Sequence, residues 1–448
     1  MTGFYTKIQE LTDTMRTSLW LLPAIMVSAG IALSFFLLWV DNNYAPFVNE
    51  HLSWLFSGTP SAARSLLATI ASAVITVVSI AFSLTIVAMQ QASSQYTPRL
   101  LRTFMANRGN QVVLGAYLAT FVYSLMILRA IREEDGSVVA FVPSVAASTA
   151  ILLALICVGL LIYFINHIAT SLQATTVISR VHSELLEQIN KLYPEKIGQP
   201  VEDDAVSEKQ DESIHTVVIT SKQTGFVIHI SASELEKIDF GVIDMVHILA
   251  KVGDFIVYGQ PIAEIRSTKT APTLSESVDE KVRLAIAVTH QRSINQDPLY
   301  AVRQLVDTAL KGLSPGINDM TTADYCIRYL GDALGRLANR TFPPEMRRLP
   351  NGGILHLEKP DWDEFVQGSF NQILHASDGH EQVLHVILRT LQRLGEQLPT
   401  QERTLPIRRL LDCFNEMLDH GSYLPSDKHT FQSEIRNLRK LLDRVPLE

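Results

Sequence analysis

Cysteine is scarce in this chain of 448 residues. Cys157 lies in an apolar segment, Cys326 and Cys413 lie in the polar second half, and no Cys-x-x-Cys pair occurs. Three scattered thiols exclude a disulfide framework of the kind that staples small secreted domains, and they offer no thiolate cluster for a metal. The cysteine content therefore favours a reducing compartment for the second half of the chain.

Charged residues are also limited, at 19% of the chain, and the formal net charge is −8. An acidic balance argues against nucleic acid as a partner, because phosphate backbones are bound by clustered lysine and arginine. Much of the excess is local, since the segment 201–213 contains six acids and one lysine. We predict that this segment is a solvated linker.

Catalytic signatures are missing. The chain has no Gly-x-Ser-x-Gly, no His-Glu-x-x-His, no P-loop and no Gly-x-Gly-x-x-Gly followed by an acid. His375, His380 and His385 are five residues apart, a spacing that does not place side chains on one helix face. We therefore predict no catalytic residue, no cofactor and no metal site, and an enzyme is the least favoured class.

Long apolar runs, by contrast, dominate the first half. They cover residues 19–40, 65–89, 111–131 and 141–165, each close to the roughly 20 residues that a helix needs to cross a bilayer. The first run is too long for a signal peptide and has no cleavage site after it. We predict a membrane α-helical fold of four transmembrane helices, with the lipid bilayer as partner, followed by a cytosolic α+β part.

The charges of the loops predict the orientation. Arg99, Arg102 and Arg108 lie between the second and third runs with no acid among them, whereas the loop 41–63 has two acids and no lysine or arginine. Positively charged loops stay in the cytoplasm. Both termini and the polar second half are therefore predicted to be cytoplasmic.

The remaining patterns divide the chain into four parts. An apolar stripe continues past the fourth run as a stalk helix, giving a transmembrane domain over 1–194, and an acidic linker follows over 195–213. Alternating β-branched residues predict a small β-rich module over 214–268. Amphipathic patterns predict a helical domain over 277–448, with four helices after residue 361.

The second apolar run carries hydroxyl residues at alternating steps of four and three. This hydroxyl seam consists of Ser65, Thr69, Ser72, Thr76, Ser79 and Ser83, and its register resumes at Gln90 and Ser94. The spacing suits a left-handed helix–helix contact, in which small hydroxyl residues allow close packing in lipid. The same seam, repeated in several copies around an axis, would wet a pore without trapping an ion. Both interpretations fit the residues.

The surroundings of the seam favour the pore. The seam breaks at Ile86 and Val87, which would form an apolar constriction that gates by dewetting. Gln95, Arg99 and Arg102 would then lie at the cytoplasmic mouth. We predict a homo-oligomeric, channel-like protein that passes a small ion or solute. The alternative is a non-conducting sensor or scaffold whose cytosolic domain binds a ligand or partner.

A second candidate site lies in the polar half. Ser314, Asn318 and Asp319 belong to a predicted turn, and Arg292 and Asp297 belong to a predicted loop. Together they would form a polar pocket for a small anion or cation. The plainer interpretation is that Asp297, before Pro298, caps one helix and that Asn318 or Asp319 caps the next.

Two segments resemble a known family. The segment 80–99, IAFSLTIVAMQQASSQYTPR, and the segment 310–319, LKGLSPGIND, with Thr322 and Ala323 after it, resemble the signature of a bacterial family of predicted membrane proteins, domain of unknown function 2254. Met320 stands where the family usually has proline. The resemblance implies four transmembrane spans in a bacterial inner membrane and brings no assigned activity.

A third segment, 251–265, resembles half of a lipoyl- or biotinyl-type barrel. It has no lysine on a hairpin tip, so we predict a structural or ligand-recognition module and not a prosthetic-group carrier.

Overall fold

The computed structural model divides the chain into two compact units, Lys7–Thr176 and one that contains Val177–Glu448. The residues that the structure describes are 20–51, 59–95, 108–133, 141–171, 173–193, 199–200, 215–238, 243–267, 276–349 and 352–447.

Four long helices form the first unit. They are α1 (Leu21–His51), α2 (Pro60–Gln95), α3 (Arg108–Ala130) and α4 (Ser144–Ser171). All four are long and apolar enough to cross a membrane, which confirms the predicted spans. α1 is interrupted by non-helical backbone at Tyr44, two residues before Pro46, a residue type that has no N–H for the helical hydrogen-bond pattern.

The helix α3 lies at the centre of this unit and packs against α1, α2 and α4. Small residues bring α1 and α3 close together: a Cβ atom added at Gly30 would lie 3.1 Å from the carbonyl oxygen of Ala119. Toward α4, the hydroxyl of Tyr117 donates to the carbonyl of Cys157 at 3.2 Å, and that of Tyr123 donates to the carbonyl of Ala146 at 2.8 Å. Close backbones and interhelical hydrogen bonds are the contacts that hold helices together in lipid.

The predicted stalk is a separate helix. The helix α4 ends at Ser171, and the next helix, α5, covers Ala174–Leu192. Its buried stripe includes Ile178, Val181 and Leu185. Most of α5 therefore belongs to the second unit, and the domain boundary falls between Thr176 and Val177.

Two β-sheets form one part of the second unit. The strands are β1 (Gln199–Pro200), β2 (His215–Thr220), β3 (Gly225–Ile230), β4 (Met245–Ile248), β5 (Phe255–Ile256), β6 (Pro261–Ser267), β7 (Ile286–Thr289), β8 (Met346–Arg348) and β9 (Ile354–Leu357). The larger sheet has the order β1-β8-β9-β4-β6-β2, and the smaller has the order β5-β3-β7. All neighbours are antiparallel except β4 and β9, which are parallel.

The core of these sheets joins residues from distant parts of the sequence. Val246 and Ile265 pack in one buried cluster with Val282 and Leu355. The short helices α6 (Ala232–Leu235) and α7 (Glu276–Ala285) accompany the strands. The core thus includes residues on both sides of the predicted module boundary at 268, because β7, β8 and β9 come from the part predicted to be helical.

Six helices complete the second unit. They are α8 (Pro298–Leu313), α9 (Met320–Ala338), α10 (Trp362–Ala376), α11 (Glu381–Gly395), α12 (Leu405–His420) and α13 (Pro425–Leu442), with a 3-10 turn at Glu402–Thr404. The four helices predicted after residue 361 are therefore present. Asp361 and Glu364 form a reciprocal capping box at the start of α10.

Candidate functional site

The hydroxyl seam lies on the outer face of α2. All six of its hydroxyl residues are exposed. The buried residues of the same helix are Ala63, Leu67, Ala71, Val74, Val78, Ala81, Thr85 and Ala88. Every seam residue is two positions from a buried one, about 200° around a helix that turns by about 100° per residue. The seam therefore points away from α3 and α4, against which α2 packs.

Four of the six seam hydroxyls bond to their own helix. Thr69 and Thr76 donate to the carbonyl oxygens four residues earlier at 2.7 and 2.8 Å, and Ser79 and Ser83 do so at 3.0 Å. A hydroxyl that is bonded in this way has a partner in any surroundings. The seam can consequently face lipid, a second copy of the chain or water.

The apolar break in the seam is exposed as well. Ile86 and Val87 follow Ser83 by three and four residues, so they lie on the same side of α2, and they are 62% and 61% exposed. Gln90, one turn further, is also exposed. The side chains of Ser94 and Gln95, and the whole of Arg99 and Arg102, fall outside the described residues.

One functional contact of the first unit was not foreseen from sequence. Asp41, near the end of α1, accepts the N–H of Val145 at 3.0 Å and that of Ala146 at 2.9 Å. Both donors belong to the first turn of α4, where unpaired N–H groups and the helix dipole favour a negative charge. Asp41 is 4% exposed. It therefore ties the end of one span to the start of another, whereas the sequence showed it only as a loop acid.

In the second unit, half-buried Arg292 pairs with buried Asp297. Arg292 Nε donates to Asp297 Oδ2 at 2.6 Å and Nη2 donates to Oδ1 at 3.2 Å, while Oδ1 also accepts the Tyr300 N–H at 2.9 Å. Burial raises the pKa of Asp297, and the bonds from Arg292 and the Tyr300 N–H act against that rise. The carboxylate is used as the predicted cap of α8, which supports the plainer interpretation of this residue.

The turn that follows α8 is also satisfied internally. Asp319 accepts the N–H of Thr322 at 3.1 Å and its hydroxyl at 2.6 Å, and thereby caps α9. The Ser314 hydroxyl donates to the carbonyl of Lys311 at 2.6 Å, and Asn318 has a left-handed backbone with φ of 49°.

The two halves of the predicted pocket do not meet. Arg292 and Asp297 lie at the start of α8, and Ser314, Asn318 and Asp319 lie after its end. The 16 residues of α8 separate them by about 24 Å. A single pocket made of these five residues is therefore not what the fold forms.

Comparison with known proteins identifies the family of this chain. The family model described as "Predicted membrane protein (DUF2254)" matches residues 16–393, which include all four spans and both sheets. The chain belongs to the DUF2254 family. The resemblance carried by the segments 80–99 and 310–319 is thereby confirmed.

Relatives of this DUF2254 protein occur in mycobacteria. The uncharacterized protein Rv1290c of Mycobacterium tuberculosis and the uncharacterized protein Mb1321c of Mycobacterium bovis are each 28% identical to it over 410 residues. The alignment covers 91% of this chain and 77% of each relative. No solved structure matches the chain.

The larger sheet of the DUF2254 protein holds a group of side chains that can bind a metal. The ligand atoms of His247, His356 and Glu358 all lie within 4.8 Å of one another. Burial, followed by the neighbouring His356, lowers the pKa of His247. The sequence did not indicate this group, because the two histidines are 109 positions apart. The local signal is His356 in β9 with Glu358 directly after the end of that strand.

Proposed function

We propose that this DUF2254 protein forms a homo-oligomer in a bacterial inner membrane and that α2 of each copy lines a pore for a small ion or solute. The observation that supports the proposal is the position of the hydroxyl seam, diametrically opposite the face that α2 buries against its own chain. A polar seam that is not used inside the chain is available at an axis shared by several copies.

The chemistry of the seam suits conduction. Its side chains are uncharged hydroxyls, which interact with a passing ion through lone pairs and do not bind it as a carboxylate would. Ile86 and Val87 extend the same face with apolar side chains, and a ring of them would close the pore by excluding water. In the predicted orientation this constriction lies toward the cytoplasmic end of α2.

A non-conducting sensor or scaffold is the competing proposal. It is supported by the hydrogen bonds of the seam, because hydroxyls bonded to their own backbone tolerate lipid or a dry contact between copies. In that case the second unit would carry the function by binding a ligand or partner.

Cysteine accessibility distinguishes the two proposals. Thr76→Cys and Ser79→Cys place thiols on the seam, and Leu84→Cys is the matched control, because Leu84 is also exposed but lies about 100° from Ser83. In membranes, a charged methanethiosulfonate reagent should modify the seam thiols and leave the control thiol intact. The unsubstituted chain sets the background, because Cys413 is partly exposed whereas Cys157 and Cys326 are buried. Equal silence at all three positions would exclude the pore.

Flux through the constriction is the second test. Ile86→Ser and Val87→Ser should each raise ion flux from protein-containing liposomes at least several-fold over the original chain, because a hydroxyl removes the barrier to wetting. Leu84→Ser serves as the control and should change nothing. Reactive seam thiols together with no flux in any variant would favour the scaffold.

A further inference from the structure

A polar row crosses the larger sheet on the face opposite its core. In β4, Val246 and Ile248 point into the core, and His247 between them points to the other face. In β9, Leu355 and Leu357 point into the core in the same way, and His356 lies between them. His247 is directly opposite His356 on one side and directly opposite Glu264 of β6 on the other.

The two imidazoles are stacked and half-enclosed. Their ring centroids are 4.0 Å apart and their planes differ by 12°. The side chain of His247 is 14% exposed and that of His356 is 20% exposed. Glu358 lies directly after β9, and its carboxylate completes the group, within 4.8 Å of the ligand atoms of both histidines.

Carboxylates flank each ring and leave a nitrogen for another partner. Glu264 Oε2 lies 3.8 Å from Nδ1 of His247, and Glu345 Oε2 lies 3.5 Å from Nε2 of His356. Among the residues that the structure describes, Nδ1 of His247 is buried without a hydrogen-bond partner. At 3.8 Å the carboxylate of Glu264 does not form a hydrogen bond with that nitrogen, so Nδ1 of His247 is open to a metal.

We propose that His247, His356 and Glu358 bind one divalent transition-metal ion of the zinc class. Two imidazole nitrogens and one carboxylate oxygen form a ligand set that suits Zn²⁺, with a remaining position for water. Mg²⁺ and Ca²⁺ prefer oxygen ligands only and fit this set poorly. The ion would join β4 to β9, the parallel pair of the sheet. This proposal does not depend on the pore.

Lys251 bears directly on the proposal. Its Nζ lies 2.6 Å from Oε2 of Glu358, so an ammonium group already neutralises the carboxylate that a metal would use. This ion pair lowers the pKa of Glu358 and raises that of Lys251. A bound dication would displace Lys251. Removal of the lysine should therefore strengthen metal binding, a result that a purely structural role for the row would not produce.

Zinc binding by the full chain in detergent tests the site, after treatment with a chelator and dialysis. We expect one equivalent of Zn²⁺ per chain by isothermal titration and by elemental analysis, with no displacement by millimolar Mg²⁺. His247→Ala or His356→Ala should raise the zinc Kd by about 100-fold or more, because each removes a ligand. Lys251→Met should lower it by roughly three- to tenfold, because a competing charge is lost.

His385→Ala is the matched control, since His385 also pairs with a glutamate, Glu434 at 3.1 Å, but on helices far along the sequence from the row. It should leave the zinc Kd unchanged. If the alanine variants fail to fold, the unsubstituted chain still decides, because zinc bound to the native state must raise its Tm. No bound zinc in that chain, or a stoichiometry that survives the double substitution His247→Ala with His356→Ala, would overturn the proposal.

Discussion

The hydroxyl seam of α2 and the polar row of the larger sheet, formed by Glu264, His247 and His356, are both lines of polar side chains. They differ in where those side chains find their partners. In the seam, the hydroxyl bonds described above each join a side chain to the carbonyl oxygen four residues earlier in the same helix. In the row, His247, Glu264 and His356 come from three strands and lie side by side only because those strands pair. The first unit satisfies these polar groups locally, whereas the second assembles its group from a distance.

This difference matters for function. A locally satisfied group keeps its partner when its surroundings change, so the seam can contact lipid, protein or water at little cost. A group assembled across strands depends on the sheet, and its burial leaves polar atoms that need a further partner. The seam therefore suits a surface whose contacts change between lipid, protein and water, and the row suits a site that binds one fixed ligand.

The largest expected effect comes from breaking the assembly of the sheet. Leu355 is fully buried on the core face of β9, directly before His356. Leu355→Ala removes buried methyl groups and leaves a cavity, so we expect the free energy of unfolding of the second unit to fall by about 3 kcal/mol. Denaturant titration followed by circular dichroism measures it.

The control for that experiment is Ile317→Ala, because Ile317 is 37% exposed. It should change the free energy of unfolding by less than about 0.5 kcal/mol. Equal effects of the two substitutions would contradict the position of β9 in the core.

An intermediate effect is expected at Asp41, whose contact in the first unit, like the row, joins residues far apart in the sequence. Asp41 joins α1 to the start of α4, so Asp41→Ala leaves two buried N–H groups without an acceptor. We expect a loss of about 2 kcal/mol in the stability of the transmembrane unit, measured by unfolding in mixed micelles.

Asp41→Asn keeps one carbonyl oxygen as an acceptor and should lose clearly less stability than the alanine variant. If both substitutions are silent, the cap does not contribute to holding α1 and α4 together.

The smallest effect is expected on the seam itself. Thr76 is exposed, and its hydroxyl donates to the carbonyl of Ser72. Thr76→Val therefore keeps the shape of the side chain and removes a bond within one helix. Stability should stay within about 0.5 kcal/mol of the original chain, measured as the Tm in detergent. A large loss would show that the hydroxyl makes a contact between copies of the chain. It would contradict the view that the seam is satisfied within its own helix.

Local patterns in the sequence were sufficient for much of the fold. The four spans were predicted because a run of about 20 apolar residues has few stable alternatives to a transmembrane helix. The cap at Asp297 and a cap at Asn318 or Asp319 were predicted because a polar side chain before a helix bonds to N–H groups two or three residues away, and the structure uses Asp319. These features depend on neighbours in the sequence.

Features that depend on distant residues were missed. The strands β8 and β9 are three and four residues long and lie between helices, so their alternation is too short to identify. The predicted pocket failed because Asp297 and Ser314 lie at opposite ends of α8, whose 16 residues span about 24 Å. The structure was also needed to show that the seam faces away from the other helices of its own chain, because the spacing of the hydroxyls is the same whichever face of α2 packs inward.

The sequence by itself determined that this protein has four apolar helices, a seam of hydroxyls along the second, and helices capped by aspartate in its polar half. Each of these features depends on a repeat spacing or on residues that are adjacent in the sequence, so it can be recognised without knowing the fold. Only the tertiary structure decided that the seam faces outward and that His247 and His356 are stacked. Those two facts depend on which surfaces of the chain bury one another, and burial is settled by packing between elements that are far apart in sequence.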